Sequence, residues 1–332
     1  MGIFDSMKKK VQFVQPAVNP ADDFLPKKVF VNSWFYIGRV DVDGHELVFL
    51  FHLMSGTIKS AGLMNTVVSI LDKTDDFYES RDIVVKTINP VKVKDGKLNI
   101  ETDCATLKGH IRDSVALTAE LKDAAMDVRV LSDGNVILNG GCGYFPLLRS
   151  PVNCQYSCPD MRMEGSITIK GHKYSFTNGS CWFDRQWNDR KFNDLIHLND
   201  YMPKWMWMGI KLDNGESISM WEIISEDGIN YCFATILHKD GTQTVSQMPS
   251  SAKMSGGLWH SDVTGQNYPT IWKVVIPDFK IELDVVCKPA HQEIVSQMTP
   301  LNKYEAESIV SGTVGGVPVT GVCCVELLGE WK

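Results

Sequence analysis

Residues 210–223 read IKLDNGESISMWEI, and this stretch decides the fold class. On either side of Asn214-Gly215, apolar and polar side chains alternate with the period of a half-buried β-strand. Asn-Gly supplies the positive φ angles that a two-residue hairpin turn requires. The stretch therefore predicts two antiparallel strands joined by a tight turn.

The same pattern recurs elsewhere in the chain. Residues 91–102, VKVKDGKLNIET, and residues 166–179, SITIKGHKYSFTNG, alternate in the same way. In the first of these, Val91 and Val93 are expected to face the core and the lysines to face water. Further Asp-Gly turns stand between β-rich runs, at Asp43-Gly44, Asp95-Gly96, Asp133-Gly134, Asp227-Gly228 and Asp240-Gly241.

The sequence contains little helical signal. No segment of about fifteen residues repeats apolar side chains at helical spacing. Residues 61–73, AGLMNTVVSILDK, are compatible with a short helix or, because many are β-branched, with a strand. We therefore predict an all-β fold of antiparallel strands in barrel or sandwich domains, which can enclose one hydrophobic ligand.

Length and composition are those of an ordinary globular protein. The chain has 332 residues, of which 44% are hydrophobic and 22% charged, and this excludes a disordered or collagen-like chain. The net charge of −7 argues against a nucleic-acid partner, which would require a basic surface. We find neither a signal peptide nor an apolar run of the ~20 residues that a membrane helix needs, and we predict a cytoplasmic protein.

The nine cysteines show no spacing typical of disulfide frameworks or metal sites. Cys154 and Cys158 are four residues apart, but no second Cys or His pair follows at zinc-site spacing. Phosphate-binding loops, dinucleotide-binding motifs, serine nucleophile motifs and zinc-protease motifs are also absent. We therefore predict buried free thiols and no metal.

Domain boundaries are predicted from segments that lack periodic pattern. Residues 1–28 contain three prolines and are interpreted as an N-terminal arm. The polar segment 188–204 predicts a boundary near the middle, which gives β domains at 29–195 and 196–332. Gly2 begins an M-G-x-x-x-S pattern followed by lysines, which is compatible with lipid attachment or with a solvated chain start.

The most unusual stretch is residues 179–187, GSCWFDRQW. Strand alternation places Trp182, Asp184 and Gln186 on one face and the residues between them on the other. A carboxyl among aromatic rings on an inward face loses solvation, which raises its pKa and lets it donate a proton near neutral pH. Asp184 is therefore a candidate general acid, and the alternative is a structural ion pair between Asp184 and an arginine.

A second aromatic cluster occupies residues 201–208, YMPKWMWM. Aromatic and thioether side chains suit a site for a hydrophobic unsaturated ligand, although packing in the core or between domains is the alternative. Aromatic faces can also stabilise the carbocation that forms when an alkene is protonated. The candidates for this role are Trp34, Tyr36, Trp182, Trp205 and Trp207.

Three blocks of the chain resemble the sequence patterns of one family. The central block, Tyr156-Ser157, Gly165 and residues 179–187, is similar to a Y-S … G … G-x-x-W-x-D-R-Q-W-G pattern. Trp34-Phe35-Tyr36 resembles E-W-W-Y near the N-terminus of that family. The C-terminal block resembles a Y-E … G … G … G-x-x-x-x-E-x-x-G pattern, through Tyr304-Glu305, Gly312, Gly316, Gly321, Glu326 and Gly329.

The family that these blocks resemble is that of the carotenoid 1,2-hydratase-like or AttH-type proteins, distant relatives of the fungal decalin-forming Diels–Alderases. The resemblance implies two packed lipocalin-like domains, and it implies that Asp184 is the acid that protonates an isoprenoid double bond. Tyr36 is retained. Ser33 replaces the usual Glu, so a role of that acid is not transferred, and Phe35 and Asn188 replace a Trp and a Gly.

These features predict an enzyme acting on a hydrophobic unsaturated terpenoid or polyketide of secondary or isoprenoid metabolism. Protonating or folding the substrate would lead to cyclisation or isomerisation, or to hydration of a C=C bond, without a cofactor. The alternatives are a non-catalytic lipocalin-like carrier and an interaction or stress-response scaffold. The predicted catalytic residues are Asp184 and Tyr36, and the predicted substrate-binding residues are Trp34, Tyr156, Trp182, Gln186, Trp205, Trp207 and Glu305. For Glu305, an ion pair with Arg185 is also expected.

Overall fold

The structure is a computed structural model that describes residues 16–58, 61–87, 91–131, 134–145, 147, 153–188, 204–224, 231–297 and 302–331. These residues form two antiparallel sheets and one turn of α-helix, α1 (Pro20–Asp23). The predicted all-β fold with two lipocalin-like domains is confirmed. Among the described helices, none has the length and apolar character that a membrane crossing needs.

The first sheet comprises twelve strands from the first part of the chain. They are β1 (Val31–Val42), β2 (His45–Ile58), β3 (Ala61–Asp72), β4 (Phe77–Thr87), β5 (Lys92–Lys94), β6 (Lys97–Glu101), β7 (Ala105–His110), β8 (Ser114–Glu120), β9 (Ala124–Leu131), β10 (Ile137–Leu138), β11 (Asn153–Ile169) and β12 (His172–Asn188). Their order is β4-β3-β2-β1-β12-β11-β9-β8-β7-β6-β5, with β10 paired to β11.

The second sheet comprises ten strands from the last part of the chain. They are β13 (Lys204–Leu212), β14 (Ser217–Ile224), β15 (Tyr231–Leu237), β16 (Gln243–Gln247), β17 (Ser255–His260), β18 (Asn267–Ile276), β19 (Ile281–Cys287), β20 (Glu293–Ile294), β21 (Lys303–Val314) and β22 (Val317–Leu328). Their order is β16-β15-β14-β13-β22-β21-β19-β18-β17, with β20 paired to β21.

The predicted tight turns join neighbouring strands where they are described, but at Asn214-Gly215 and Asp240-Gly241 only the glycine has a positive φ, of 88° and 84°. Asp43-Gly44 links β1 to β2 with φ angles of 52° and 83°, and Asp95-Gly96 links β5 to β6 with 53° and 72°. Both residues of each turn are left-handed, which matches the twist of the strands that they join. Val93, however, is 46% exposed. The expectation that it faces the core is wrong because β5 is an edge strand of the first sheet.

Each sheet encloses a hydrophobic core of its own, and a third cluster lies between the sheets. The core of the first sheet includes Trp34, Tyr36 and Phe183, whereas the second sheet packs around residues such as Met206 and Trp272. The cluster between the sheets brings aromatic and aliphatic side chains of both together. Among its members are Phe35, Ile37, Trp182, Trp207, Trp221 and Phe233.

The described part of the predicted N-terminal arm packs against the first sheet. Phe24 is fully buried in the core of that sheet, and the Ala17 amide donates a hydrogen bond of 2.7 Å to the Cys142 carbonyl. The predicted boundary between residues 195 and 196 lies outside the described residues, as do Gly2 and the turns at Asp133 and 227–228.

Candidate active site between the two sheets

Strand β12 presents its side chains alternately to two different environments. Trp182 belongs to the cluster between the sheets, where its ring centroid is 5.8 Å from that of Trp207. Phe183 and Trp187 belong to the core that the first sheet encloses. Asp184 therefore faces the second sheet. The alternation is the predicted one, but the inward face is an inter-sheet face and not the interior of a barrel.

Asp184 is buried and is held by neutral hydrogen-bond donors. Its carboxylate accepts hydrogen bonds from Trp182 Nε1 at 2.7 Å and from Gln155 Nε2 at 3.0 Å. The pKa of Asp184 is raised from 3.8 to about 7, chiefly by burial and to a lesser extent by the charge of Glu326, while hydrogen bonds from Ser157, Trp182 and Gln155 act in the opposite direction. No arginine in the described part of the chain forms the alternative ion pair with Asp184, and Arg185 faces the other side of the strand.

Arg185 is bound almost entirely by backbone carbonyls. Its guanidinium donates to the carbonyls of Phe24, Leu25 and Ser33 at 2.9–3.2 Å, and it lies 4.4 Å from the ring centroid of Trp34. Burial lowers its pKa to about 10. Arg185 thus fixes the N-terminal segment on the first sheet, and the expected ion pair with Glu305 is wrong.

Three of the predicted site residues lie on the Arg185 face and not with Asp184. Tyr36 stacks on Phe183 with ring centroids 4.4 Å apart, and burial raises the pKa of its hydroxyl well above the usual value. Trp34 Nε1 donates to the Phe24 carbonyl at 2.8 Å, and the Tyr156 hydroxyl donates to a backbone carbonyl of α1. The structure places these three side chains in the core of the first sheet.

The other predicted residues do converge on the space between the sheets. Trp205 and Trp207 extend from β13, where Trp205 Nε1 donates to Glu326 Oε1 at 2.5 Å and Trp207 Nε1 to Ser219 Oγ at 3.1 Å. Gln186 is on the Asp184 face, but its amide is bonded to Asn153 and not to the carboxyl. The structure thus groups Asp184, Trp182 and Gln186 with the two tryptophans of the second sheet.

Glu305 is the most unusual member of this group. It is 3% exposed, and no amide, hydroxyl or cationic group of the described residues donates to its carboxyl oxygens, whose hydrogen-bond neighbour is the carboxyl of Glu326. It lies opposite Glu326 in the β21–β22 pair. Burial, followed by the charge of Glu326, raises the pKa of Glu305 well above its usual value, while Lys303 lowers it.

A small cavity adjoins Glu305 between the sheets. The free space in it measures about 10 Å³, which is close to what one water molecule requires. Its wall is apolar on the side of β1 and β2 and polar on the side of β21. The lining residues include Ile37, Val48, Leu50, Ser69, Glu305 and Glu307.

Sequence reasoning did not find several polar residues of this face. Gln155 and Ser157 were not singled out as partners of Asp184, although they alternate with buried apolar side chains along β11. His52 was missed as well. Its Nε2 lies 2.8 Å from Ser33 Oγ, and burial lowers its pKa well below the usual value. The only signal for these residues was a polar side chain at every second position of a strand.

One group of described side chains has the spacing of metal ligands. His45, Asp72 and Asp75 lie together near the ends of β2 and β3, where His45 Nδ1 is 2.7 Å from Asp72 Oδ2. The other oxygen of Asp72 accepts backbone amides of the following turn. The geometry of this group is explained by these local hydrogen bonds.

The comparison with protein families assigns the chain. The profile of the AttH-like family matches residues 52–330. This protein belongs to the AttH-like family. The family resemblance predicted from Asp184 and its neighbours is thereby confirmed.

Relatives of this AttH-like protein include dehydratase asqC of Emericella nidulans. The two are 23% identical over 201 residues, which is 58% of this chain and 54% of the relative. The match thus spans about half the length of that curated relative. The structure of kievitone hydratase from Nectria haematococca matches with a TM-score of 0.80 and 19% identity, covering 96% of this chain and 95% of that one.

A second solved structure is similar over the same range. It is a Nitrosomonas europaea protein designated AttH, with a TM-score of 0.73 and 18% identity, covering 96% of this chain and 98% of that chain. At these identities, both structures establish the fold of the AttH-like protein and nothing about its substrate.

Proposed function

We propose that this AttH-like protein is a hydro-lyase that adds water to, or removes water from, a C=C bond of a hydrophobic small molecule. One observation above all supports this proposal. Asp184 is a buried carboxyl among tryptophans that is held by neutral donors, with a pKa of about 7. A group with such a pKa can both donate and accept a proton at neutral pH.

The tryptophans around Asp184 suit the second requirement of this chemistry, which is the stabilisation of a carbocation. Protonation of an alkene by Asp184 leaves a cation, and the faces of Trp182 and Trp207 provide the negative potential that stabilises it. Water then attacks the cation, or, in the reverse direction, leaves from an alcohol. Proton transfer between carboxyls and substrate is sufficient for these steps, so the proposal includes independence from a cofactor.

The names of similar proteins favour water addition or loss over cyclisation and isomerisation. One relative is called a dehydratase, and one structural neighbour is a hydratase of kievitone. We extend the proposal to the substrate class of a terpenoid or an unsaturated polyketide. A carrier without catalysis would use the same apolar face, but it would have no need for a carboxyl with a raised pKa.

The experiment incubates the protein with kievitone, with farnesol and with the tertiary alcohol nerolidol, and follows each by mass spectrometry. We expect at least one probe to gain or lose the mass of one water molecule. Asp184→Asn should lower kcat by about 10²- to 10⁴-fold, the usual contribution of a general acid, while the folded state persists.

Asp72→Asn is the matched control because it also removes a buried carboxylate of the first sheet, away from the inter-sheet face. It should retain the wild-type kcat. Full activity in Asp184→Asn would contradict the role of this carboxyl. A probe that binds and leaves unchanged would favour the carrier, and a product of unchanged mass would favour isomerisation.

A further inference from the structure

Two glutamates on one face of β21 have opposite environments. Glu307 is bound by Arg39 of the first sheet, whose Nε lies 3.0 and 2.8 Å from its two oxygens. Glu305, two residues earlier on the same buried face, has the carboxyl of Glu326 as its hydrogen-bond neighbour, and no amide, hydroxyl or cationic group of the described residues donates to it. Burying two neighbouring carboxyls with no such donor costs free energy, so Glu305 requires an explanation that Glu307 does not.

The cavity beside Glu305 supplies such an explanation. Its free space of about 10 Å³ accommodates one water molecule, and buried waters are found where polar groups would otherwise lack a partner. Glu305 and Ser69 provide polar walls, and Ile37 and Leu50 provide apolar ones. A water in this position would satisfy the carboxyl and would stand between the two sheets.

We infer that Glu305 holds the water molecule that is added or lost, and exchanges a proton with it, while Asp184 exchanges a proton with the substrate carbon. This inference rests on the proposed function and adds to it the group that exchanges a proton with the oxygen of the added or departing water. Glu326 lies opposite Glu305 and also acts on Asp184 by its charge. It is a positioning residue, since it acts through the other two carboxyls.

The steps balance in both directions. In dehydration, protonated Glu305 donates its proton to the substrate hydroxyl, the C–O bond breaks and water enters the cavity. Ionised Asp184 takes the proton of the neighbouring C–H bond, whose electron pair forms the C=C bond. Hydration is the exact reverse, with protonated Asp184 and ionised Glu305. Exchange of protons with solvent restores both carboxyls after each turnover.

The protonation states favour the dehydration direction at neutral pH. Burial and the charge of Glu326 raise the pKa of Glu305 well above its usual value, which favours its protonated form. Asp184, with a pKa of about 7, is partly ionised under the same conditions. The rate of dehydration should therefore rise as Asp184 ionises near pH 7 and fall where Glu305 loses its proton.

The test combines a crystal structure with kinetics of the full-length protein. In the wild type we expect an ordered water within hydrogen-bond distance of Glu305, and in Glu305→Leu we expect this water to be lost. Glu305→Gln should lower kcat by about 10²- to 10⁴-fold on the probe that the wild type converts. In its residual activity, the fall of the pH profile at high pH should be absent.

Glu222→Gln is the control variant because Glu222 is fully buried in the same sheet but lies beside Met206, a member of the enclosed core. It should keep the wild-type kcat and pH profile. A Glu305→Gln variant with full activity, or a wild-type structure without a water at Glu305, overturns the inference alone. A wild type that converts none of the three probes overturns the proposed function, and the catalytic role of Glu305 with it.

Discussion

Asp184 and Arg185 are neighbours on one strand, yet they lie in contrasting regions of the molecule. On one face of the first sheet, the Arg185 guanidinium is surrounded by backbone carbonyls and two indole rings. On the other face, the Asp184 carboxyl meets neutral donors and the charge of another carboxyl. Both groups are buried, and only the polarity of their partners differs.

This difference separates a structural group from a reactive one. Carbonyl oxygens complement the positive charge of Arg185. Because all three guanidinium nitrogens have partners, none is left to donate to another group. Neutral donors compensate the burial of Asp184 incompletely, so its proton stays poised between bound and free at neutral pH. A buried charge is therefore informative about function only when its partners are known.

Removal of the Arg185 guanidinium should have the largest effect on the free energy of unfolding. Arg185→Met leaves several buried carbonyls without donors and frees the segment around Phe24. We expect a loss of about 5 kcal/mol in the free energy of unfolding, at the upper end for a broken buried charge interaction. Urea unfolding followed by circular dichroism measures it.

Arg112→Ala is the control for that variant. Arg112 is an exposed arginine whose side chain pairs with Asp22, and its removal should change the free energy of unfolding by less than about 0.5 kcal/mol. If Arg185→Met cost as little as this control, the carbonyls of the Arg185 face would not depend on the guanidinium, and the comparison of the two faces would fail.

The ionisation of Asp184 should make the free energy of unfolding depend on pH. In the unfolded chain its carboxyl ionises near the ordinary pKa of 3.8, and in the native state near 7. Between these values the native state binds more protons, so its stability falls as pH rises. The contribution is fully present below about pH 4 and lost above about pH 7, which amounts to about 4 kcal/mol.

Asp184→Asn should remove this dependence. The variant should become more stable than the wild type as pH rises, and the difference between their free energies of unfolding should grow between about pH 4 and about pH 7. Urea unfolding over this pH range measures it, with Asp72→Asn as the control. Parallel pH profiles for wild type and Asp184→Asn would show that Asp184 is ionised throughout.

The extent to which this site could be predicted depended on the strand. Alternation along residues 179–187 correctly separated Asp184 from Arg185, because side-chain direction in a strand has a fixed period of two. Alternation could not tell which sheet or core each face would meet. The aromatic character of Trp34 and Tyr36 and the family resemblance grouped them with Asp184, although the two sets lie on opposite sides of the first sheet.

The same limit applies to β21. Lys303, Glu305 and Glu307 alternate there with apolar residues, a pattern typical of a strand with one face in water. The structure buries all three, and Arg39 of the first sheet binds Glu307. Which charged residues become buried depends on packing between distant parts of the chain. Local sequence periodicity carries no information about that packing. The tight turns, by contrast, depend on adjacent residues only, and Asp43-Gly44 was correctly predicted.

The smallest predicted effect is the change in the pKa of Asp184 when one neutral hydrogen-bond donor is removed. Gln155→Leu removes the amide that donates to the carboxylate at 3.0 Å and should raise the pKa of Asp184 above about 7, by about one pH unit for a hydrogen bond of ordinary strength. Carbon NMR titration of the labelled Asp184 carboxyl measures the shift. Gln186→Leu, on the same face but bonded to Asn153, should leave this pKa in place. An equal shift in both variants would mean that general burial, and not the Gln155 donor, sets the proton affinity of this face.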